Sequence, residues 1–97
     1  MTEVAYLPQI ECVITKEDAL FNTQIVYVAD EVGNQQFLRV GKGALQREGE
    51  KTYLPIGVVD LDAAKQRVLV ELPQEADSGA RRLWVRLSSF RPQRAAS

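Results

Sequence analysis

Histidine is absent from this chain, and cysteine occurs once. Without histidine the chain lacks the commonest general base and the commonest protein ligand for metal ions. The single cysteine, Cys12, alternates with Ile10 and Ile14, a setting in which a thiol usually fills core space and its thiolate is disfavoured. We therefore predict no catalytic residue and no enzyme. An enzyme would need carboxylate pairs or tyrosine and arginine chemistry in a pocket that the sequence does not reveal.

Two segments are superficially similar to ligand-binding motifs. Asp60 and Asp62, with Glu71 at the twelfth position, echo a calcium-binding loop, but Ala64 and Lys65 stand where an oxygen ligand and a glycine are needed. A polar hairpin turn explains these acids better.

The stretch Gly41-Lys42-Gly43 is too short to cradle a phosphate, because no Gly-Lys-Ser/Thr end follows it. We predict no metal site and no cofactor.

The arginines remain as candidates for a binding function. From Arg81 to the end there are five arginines and no acid, whereas residues 1–31 hold six acids and one base. Arg82 and Arg86 alternate with apolar residues, so they share the outward face of a strand with Trp84. Guanidinium groups beside an indole stack on it and grip carboxylates or phosphates. The candidate binding residues are Trp84, Arg82, Arg86, Arg81 and Tyr53.

The plainer interpretation keeps the same residues without a function. In it Trp84 closes one end of the fold, and the arginines only keep their strand solvated. Glu71 would then pair across to Arg86 or Arg82 and help to set the register.

Short apolar stretches of period two must position these residues. They occur near residues 9–15, 24–29, 35–40, 52–61, 67–72 and 83–87, separated by glycine- and proline-containing turns. The pattern predicts an all-β fold, a small antiparallel barrel of the SH3 kind with five or six strands and at most one or two short helical turns.

Individual segments support more detailed predictions. Gly33-Asn34 predicts a hairpin turn between two strands, and the run 52–61 should be bent, bulged or at the edge of a sheet because it contains Pro55 and Gly57. Residues 41–51 should form an exposed loop, and Ser88-Ser89-Phe90 should turn Phe90 back onto the core. We expect one domain over residues 1–97 with its core at about 9–90 and a frayed tail at 91–97.

Composition bounds the environment. The net charge of −1 gives the molecule no general attraction to nucleic acid or to an anionic membrane. No apolar stretch approaches the roughly 20 residues that span a bilayer, so we expect no membrane insertion. A lone cysteine and the lack of a signal peptide favour the cytoplasm.

The segment Tyr53-Leu54-Pro55-Ile56-Gly57-Val58-Val59-Asp60, followed by Arg67-Val68-Leu69-Val70, resembles PRC-barrel domains and related small bacterial barrels. The later stretch 82–90 resembles the closing strand of such domains. The resemblance covers about residues 35–90. It implies a bacterial adaptor-type barrel that docks onto larger assemblies and has no catalytic residue to transfer.

Two functions follow as hypotheses. The first is a binding or assembly module that contacts a protein partner or a second copy through the outward face of its last strand. The alternative is a nucleic-acid or anion binder that uses Arg81, Arg82, Arg86, Arg91 and Arg94, with Trp84 or Tyr53 as a stacking platform.

Overall fold

The structure, a computed structural model, describes residues 6–94 of the chain. In that part it has nine strands, all paired antiparallel, and two short 3₁₀ turns. The strands are β1 (Tyr6–Asp18), β2 (Thr23–Ala29), β3 (Gln35–Gly41), β4 (Gln46–Glu48), β5 (Lys51–Pro55), β6 (Gly57–Asp62), β7 (Arg67–Glu71), β8 (Arg82–Arg86) and β9 (Phe90–Arg94). The 3₁₀ turns are Lys42–Ala44 and Leu87–Ser89. The predicted mostly β, antiparallel fold with at most two helical turns is confirmed.

A six-stranded sheet is built around β1, which is long enough to have different neighbours along its length. Its order is β3-β2-β1-β5-β4, and β9 also pairs with β1. The first part of β1 lies between β5 and β9, so that Ile10 is opposite both Leu54 and Phe90. The second part pairs with β2 across a bulge at Thr15, whose hydroxyl donates to the Ile25 carbonyl at 3.0 Å.

A three-stranded sheet of order β6-β7-β8 forms the other layer. Backbone hydrogen bonds also join the two sheets. The Glu31 N–H donates to the Trp84 carbonyl at 2.8 Å, and the Asp77 N–H donates to the Phe37 carbonyl at 2.7 Å. The short sheet is therefore held against the long one at its β8 side.

One core lies between the layers because both contribute their inward residues to it. The largest fully buried side chains come from β1, β2, β3, β5, β7 and β8, with Leu72 just after β7: Ile10, Val26, Val28, Leu38, Leu54, Val68, Val70, Leu72 and Val85. On β2, β7 and β8 buried residues alternate with exposed or half-buried ones, which is the period-two pattern of a sheet with one covered face.

The number of strands is larger than the five or six predicted. The segment 41–51, expected to be a loop, contains β4, whose three residues are all exposed and lack the apolar alternation that marks a strand. The run 52–61 divides at Ile56 into β5 and β6, in agreement with the predicted bend. A second irregularity in β6, between Val58 and Asp60, adds a bulge.

The C-terminal segment also differs from the prediction. Residues 91–94, expected to fray, belong to β9, and the backbone of β9 pairs with β1 from Phe90 to Arg94. Phe90 is partly buried against the core, as expected. Residues 95–97 of the predicted tail lie outside the described part.

Other local predictions agree with the structure. β2 and β3 form a hairpin, with Gly33 at a positive φ of 92° in the connecting turn. β6 and β7 form a second hairpin. Between residues 6 and 94 no helix is both long and apolar enough to cross a membrane.

Candidate functional site

The outward face of β7 and β8 carries the candidate residues from the last predicted strand. Trp84 lies opposite Leu69, and Arg82 lies opposite Glu71. The inward neighbours Leu83 and Val85 are buried, so the alternation of β8 turns Trp84, Arg82 and Arg86 to the outside together. The predicted common face of these three residues is confirmed.

A third cation, Arg67, covers the indole of Trp84. Its guanidinium carbon lies 4.1 Å from the centre of the ring. Two acids hold the guanidinium there: Arg67 Nη1 is 3.0 Å from Glu31 Oε1, and Nε is 3.3 Å from Asp62 Oδ2. Because the cation has partners on two sides, the indole is stacked and half-buried instead of lying free on the surface.

Sequence reasoning missed Arg67 and Glu31 because neither lies near Trp84 along the chain. Arg67 is opposite Arg86, one step diagonally from Trp84 on the same face. The strand register needed for this inference is not visible in the sequence. The sequence did hold one indication: Arg67 stands at the start of an apolar run and directly follows the turn that contains Asp62.

A cleft of about 390 Å³ opens beside the stacked pair. Its lining residues come from the β2–β3 turn, the β6–β7 turn and the end of β8: Glu31, Lys65, Gln66, Arg67, Arg86 and Ser88. Three of them are cations and one is an acid. The cleft is therefore polar and positively charged in a molecule whose net charge is −1.

Backbone hydrogen bonds fix the walls of this cleft. Glu31 donates to the Trp84 carbonyl at 2.8 Å, and Leu87 donates to the Gln66 carbonyl at 2.9 Å. The Nε of Arg86 donates to the Glu31 carbonyl at 3.1 Å. Residues distant in sequence are thus held together by main-chain bonds, which limit the movement of the cleft.

Asp30 organises the turn that carries Glu31. Its Oδ1 accepts the backbone N–H groups of Val32 at 3.1 Å and Asn34 at 2.8 Å. Its burial acts to raise the pKa, but hydrogen bonds from Asn34, Gln36 and Val32 outweigh that effect and lower the pKa of Asp30 below its usual 3.8. The ionised carboxylate therefore holds the turn at neutral pH.

Arg81 and Arg82, also named by the sequence analysis, have individual partners, whereas the side chain of Arg94 lies outside the described part. Arg82 Nε lies 3.1 Å from Glu71 Oε1, so the predicted pairing of Glu71 across the strands is confirmed for Arg82. Arg81 Nε donates to the Leu72 carbonyl at 3.4 Å, beyond the far end of β8 from the cleft. Arg86, the other predicted partner of Glu71, donates instead to the Glu31 carbonyl.

Tyr53 lies on β5, in the six-stranded sheet, and the structure does not bring it together with Trp84 on one sheet. The guanidinium carbon of Arg91 lies 3.5 Å from the centre of the Tyr53 ring. Arg91 is in turn 2.7 Å from Glu48 Oε2, and its Nε donates to Gln9 Oε1 at 3.2 Å. The Tyr53 ring is therefore already stacked within the chain.

The described part shows neither an exposed cysteine nor a cluster of metal-binding side chains. Cys12 is buried, and burial, with the nearby charge of Glu11, raises its pKa to about 12, so its thiol stays protonated at neutral pH. Residues 6–94 contain no group of three or more histidine, cysteine, aspartate or glutamate side chains arranged to hold a metal ion. Asp60 and Asp62 instead bond to backbone in the β6–β7 hairpin, to Leu61 at 2.8 Å and Lys65 at 3.2 Å respectively.

Comparisons with protein-family models, with curated proteins and with solved structures find no match to this chain. The geometry of the site is therefore the basis for a functional assignment.

Proposed function

We propose that this domain is a non-catalytic binding module that contacts another protein through the outward face of β7 and β8. The observation that carries the proposal is the half-buried Trp84, the only tryptophan of the chain, held under Arg67 beside Arg86. Tryptophan and arginine are the residue types most enriched among the side chains that dominate binding energy at protein interfaces.

The preorganisation of this face supports a binding role. Arg67 has two acidic partners and Arg86 has a carbonyl partner, so their orientations are restricted before any partner arrives. A side chain that is already ordered loses less conformational entropy on association, which is worth about 0.5–1.5 kcal/mol for each immobilised side chain.

The proposal extends to the setting of the module. Its buried, protonated cysteine suits a reducing compartment such as the cytoplasm. The resemblance to PRC-barrel domains would make the partner a component of a larger bacterial assembly, and a second copy of the chain is the simplest form of such an assembly.

A photo-crosslinking experiment tests the proposed face. The substitution Leu69→p-benzoylphenylalanine places a reactive group on the outward face, opposite Trp84, and the cross-linked protein is identified by mass spectrometry. Binding of the purified partner is then measured for wild type, Trp84→Ala and Arg82→Glu. Phe21→Ala is the matched control, because Phe21 is an aromatic residue exposed at 70% in the β1–β2 turn.

We expect Trp84→Ala and Arg82→Glu to weaken binding at least about tenfold and Phe21→Ala to leave it unchanged. Circular dichroism checks that each variant remains folded, and Arg82→Glu keeps the test valid if Trp84→Ala does not fold. Equal effects of all three variants would overturn the proposal. So would the absence of any cross-linked partner together with a monomeric sedimentation profile.

A further inference from the structure

We propose that the cleft beside Trp84 binds one acidic side chain, an aspartate or glutamate of the partner protein, with Arg86 and Lys65 as its charged contacts. This inference rests on the proposed protein-binding function and names the partner chemistry of the same face. The site also includes Lys65, Gln66 and Ser88, which lie in turns outside β7 and β8.

The cations of the cleft differ in whether an acidic side chain of the described part already pairs with them. Arg67 is paired with Glu31 and Asp62, so it serves as a positioning residue that supports the indole. Arg86 uses its Nε on the Glu31 carbonyl, and its terminal nitrogens have no partner among the described residues. An anchored guanidinium with open terminal N–H groups has the geometry that grips a carboxylate.

Lys65 supplies a second charge without an acidic partner in the described part of the chain. Its backbone N–H donates to Asp62 Oδ1 at 3.2 Å, which fixes the turn from which the side chain extends. Lys65 and Arg86 line the same cleft from the β6–β7 turn and from β8. An anion in the cleft would therefore meet two cations, one on each side.

Neutral hydrogen-bonding groups complete the site. Gln66 and Ser88 line the cleft, and both side chains carry donors. The amide nitrogen of Gln66 donates one hydrogen to the Ala63 carbonyl at 3.1 Å and keeps a second for a carboxylate oxygen. The volume of about 390 Å³ is near the lower end of the range for ligand pockets, about 300–1,000 Å³, and is adequate for one side chain.

The surrounding charges favour a single carboxylate over a chain of phosphates. Glu31 lines the same cleft, and Asp62 lies beside it on Arg67. Further along the outward face, Glu71 forms an ion pair with Arg82. A chain of phosphates would bring several negative charges near these acids, whereas one acidic side chain adds a single charge beside Arg86 and Lys65.

Selection from a random peptide library displayed on phage tests the inference. Displayed peptides are fused at their C-terminus, so any acid preference comes from side chains. Binding of synthetic copies is followed by the fluorescence of Trp84, which reports on this face alone because the chain has no other tryptophan. We expect the selected peptides to contain an aspartate or glutamate at one fixed position.

The charge contacts are then tested one at a time. Replacing that peptide acid by its amide should weaken binding to the wild type about tenfold, the usual size of a charge-assisted hydrogen bond. In the Arg86→Gln/Lys65→Gln double variant the acidic and amide peptides should bind equally. The control is Arg82→Gln, on the same face but outside the cleft: it should weaken binding of both peptides by the same factor and so keep the preference for the acid.

The outcomes separate this inference from the function on which it rests. Peptides that change Trp84 fluorescence but show no acid preference would overturn the carboxylate site and leave the binding face in place. An acid preference that survives in the double variant would do the same. If no selected peptide changes Trp84 fluorescence, the proposed binding face itself is wrong.

Discussion

At the scale of single residues, Arg67 is the side chain on which the outward face depends. It links the β2–β3 turn through Glu31, the end of β6 through Asp62, and β8 through the indole of Trp84. Its side chain is only 22% exposed, so these interactions are less screened than those of an ordinary surface ion pair. Removal of its charge leaves Glu31 and Asp62 without the cation that pairs with both of them.

Arg67→Met, which keeps the aliphatic part of the side chain, should lower the free energy of unfolding by about 1–2 kcal/mol. It should also uncover the indole, so acrylamide should quench Trp84 fluorescence more strongly. Urea denaturation and quenching measure the two effects. The control is Arg82→Met, because the Arg82–Glu71 pair is more exposed and should cost less than about 1 kcal/mol. Equal losses in both variants would contradict the assigned role of Arg67.

Asp30 leads to a prediction about pH. Since its pKa is lower in the folded protein than the usual 3.8, its ionised form contributes stability above that value, and the contribution disappears as pH falls through the folded pKa. Asp30→Asn should therefore be less stable than wild type at pH 7, and the difference should shrink below about pH 4. Denaturation at several pH values measures this, with the exposed Asp77→Asn as control. A difference that is constant down to pH 2 would rule out the charge as its cause.

At the scale of elements, the sequence predicted the strands whose inner residues alternate and missed those whose pairing depends on distant partners. The hairpin around Gly33 and the common face of Trp84 and Arg86 follow from period two and turn chemistry alone. β4 has no apolar residue to reveal it, and β9 contains Pro92, which argues against a strand locally. β9 forms because the free edge of β1 accepts it, which is a property of the fold and not of the segment.

The candidate site was predictable to the same extent. Alternation places three outward residues of β8 on one face, but the cleft also needs Glu31 and Lys65 from two turns. Those turns meet β8 only because the Glu31 N–H bonds to the Trp84 carbonyl and the Leu87 N–H bonds to the Gln66 carbonyl. Long-range contacts of this kind leave no signature in a single sequence. The sequence analysis therefore placed Arg82 and Arg86 beside the indole of Trp84, whereas the cation that stacks on it is Arg67.

β6 is the edge strand of the three-stranded sheet, and it exposes apolar residues there. Val58, Val59 and Leu61 are 47%, 41% and 56% exposed. Edge strands of this kind tend to pair with other chains unless something blocks them. In β6 a bulge lies between Val58 and Asp60, and the Asp60 carboxylate accepts the Leu61 N–H at 2.8 Å. Both features make the edge a poorer template for a further strand.

Asp60→Ala should therefore increase self-association, because it frees the Leu61 N–H and removes a charge from the apolar edge. Sedimentation velocity over a range of protein concentrations measures the effect. Glu75→Ala is the matched control, since it removes an equal charge from the exposed loop between β7 and β8. If both variants associate to the same degree, net charge and not the edge of β6 is responsible.

At the scale of the whole molecule, folding disperses the charge blocks that the sequence displays. The arginines of the C-terminal part of the chain lie on both sheets: Arg82 and Arg86 on β8, and Arg91 on β9. Each of them bonds to a group from elsewhere in the chain. Arg82 pairs with Glu71, Arg86 donates to the Glu31 carbonyl, and Arg91 pairs with Glu48. The described arginines of this run therefore make separate contacts and do not form one basic stripe, and acids partly neutralise Arg82 and Arg91.

This arrangement predicts weak binding to nucleic acid, since affinity for a polyanion needs several cations along one path. Fluorescence anisotropy with labelled single-stranded and duplex DNA of about 20 nucleotides at 50 mM salt should give dissociation constants weaker than about 10⁻⁴ M. The anisotropy should also change little as salt is raised, because few counterions are released. Micromolar binding that weakens steeply with salt, and that Trp84→Ala and Arg86→Gln abolish, would show instead that the outward face of β8 follows a phosphate backbone, and the proposed protein partner would have to give way to nucleic acid.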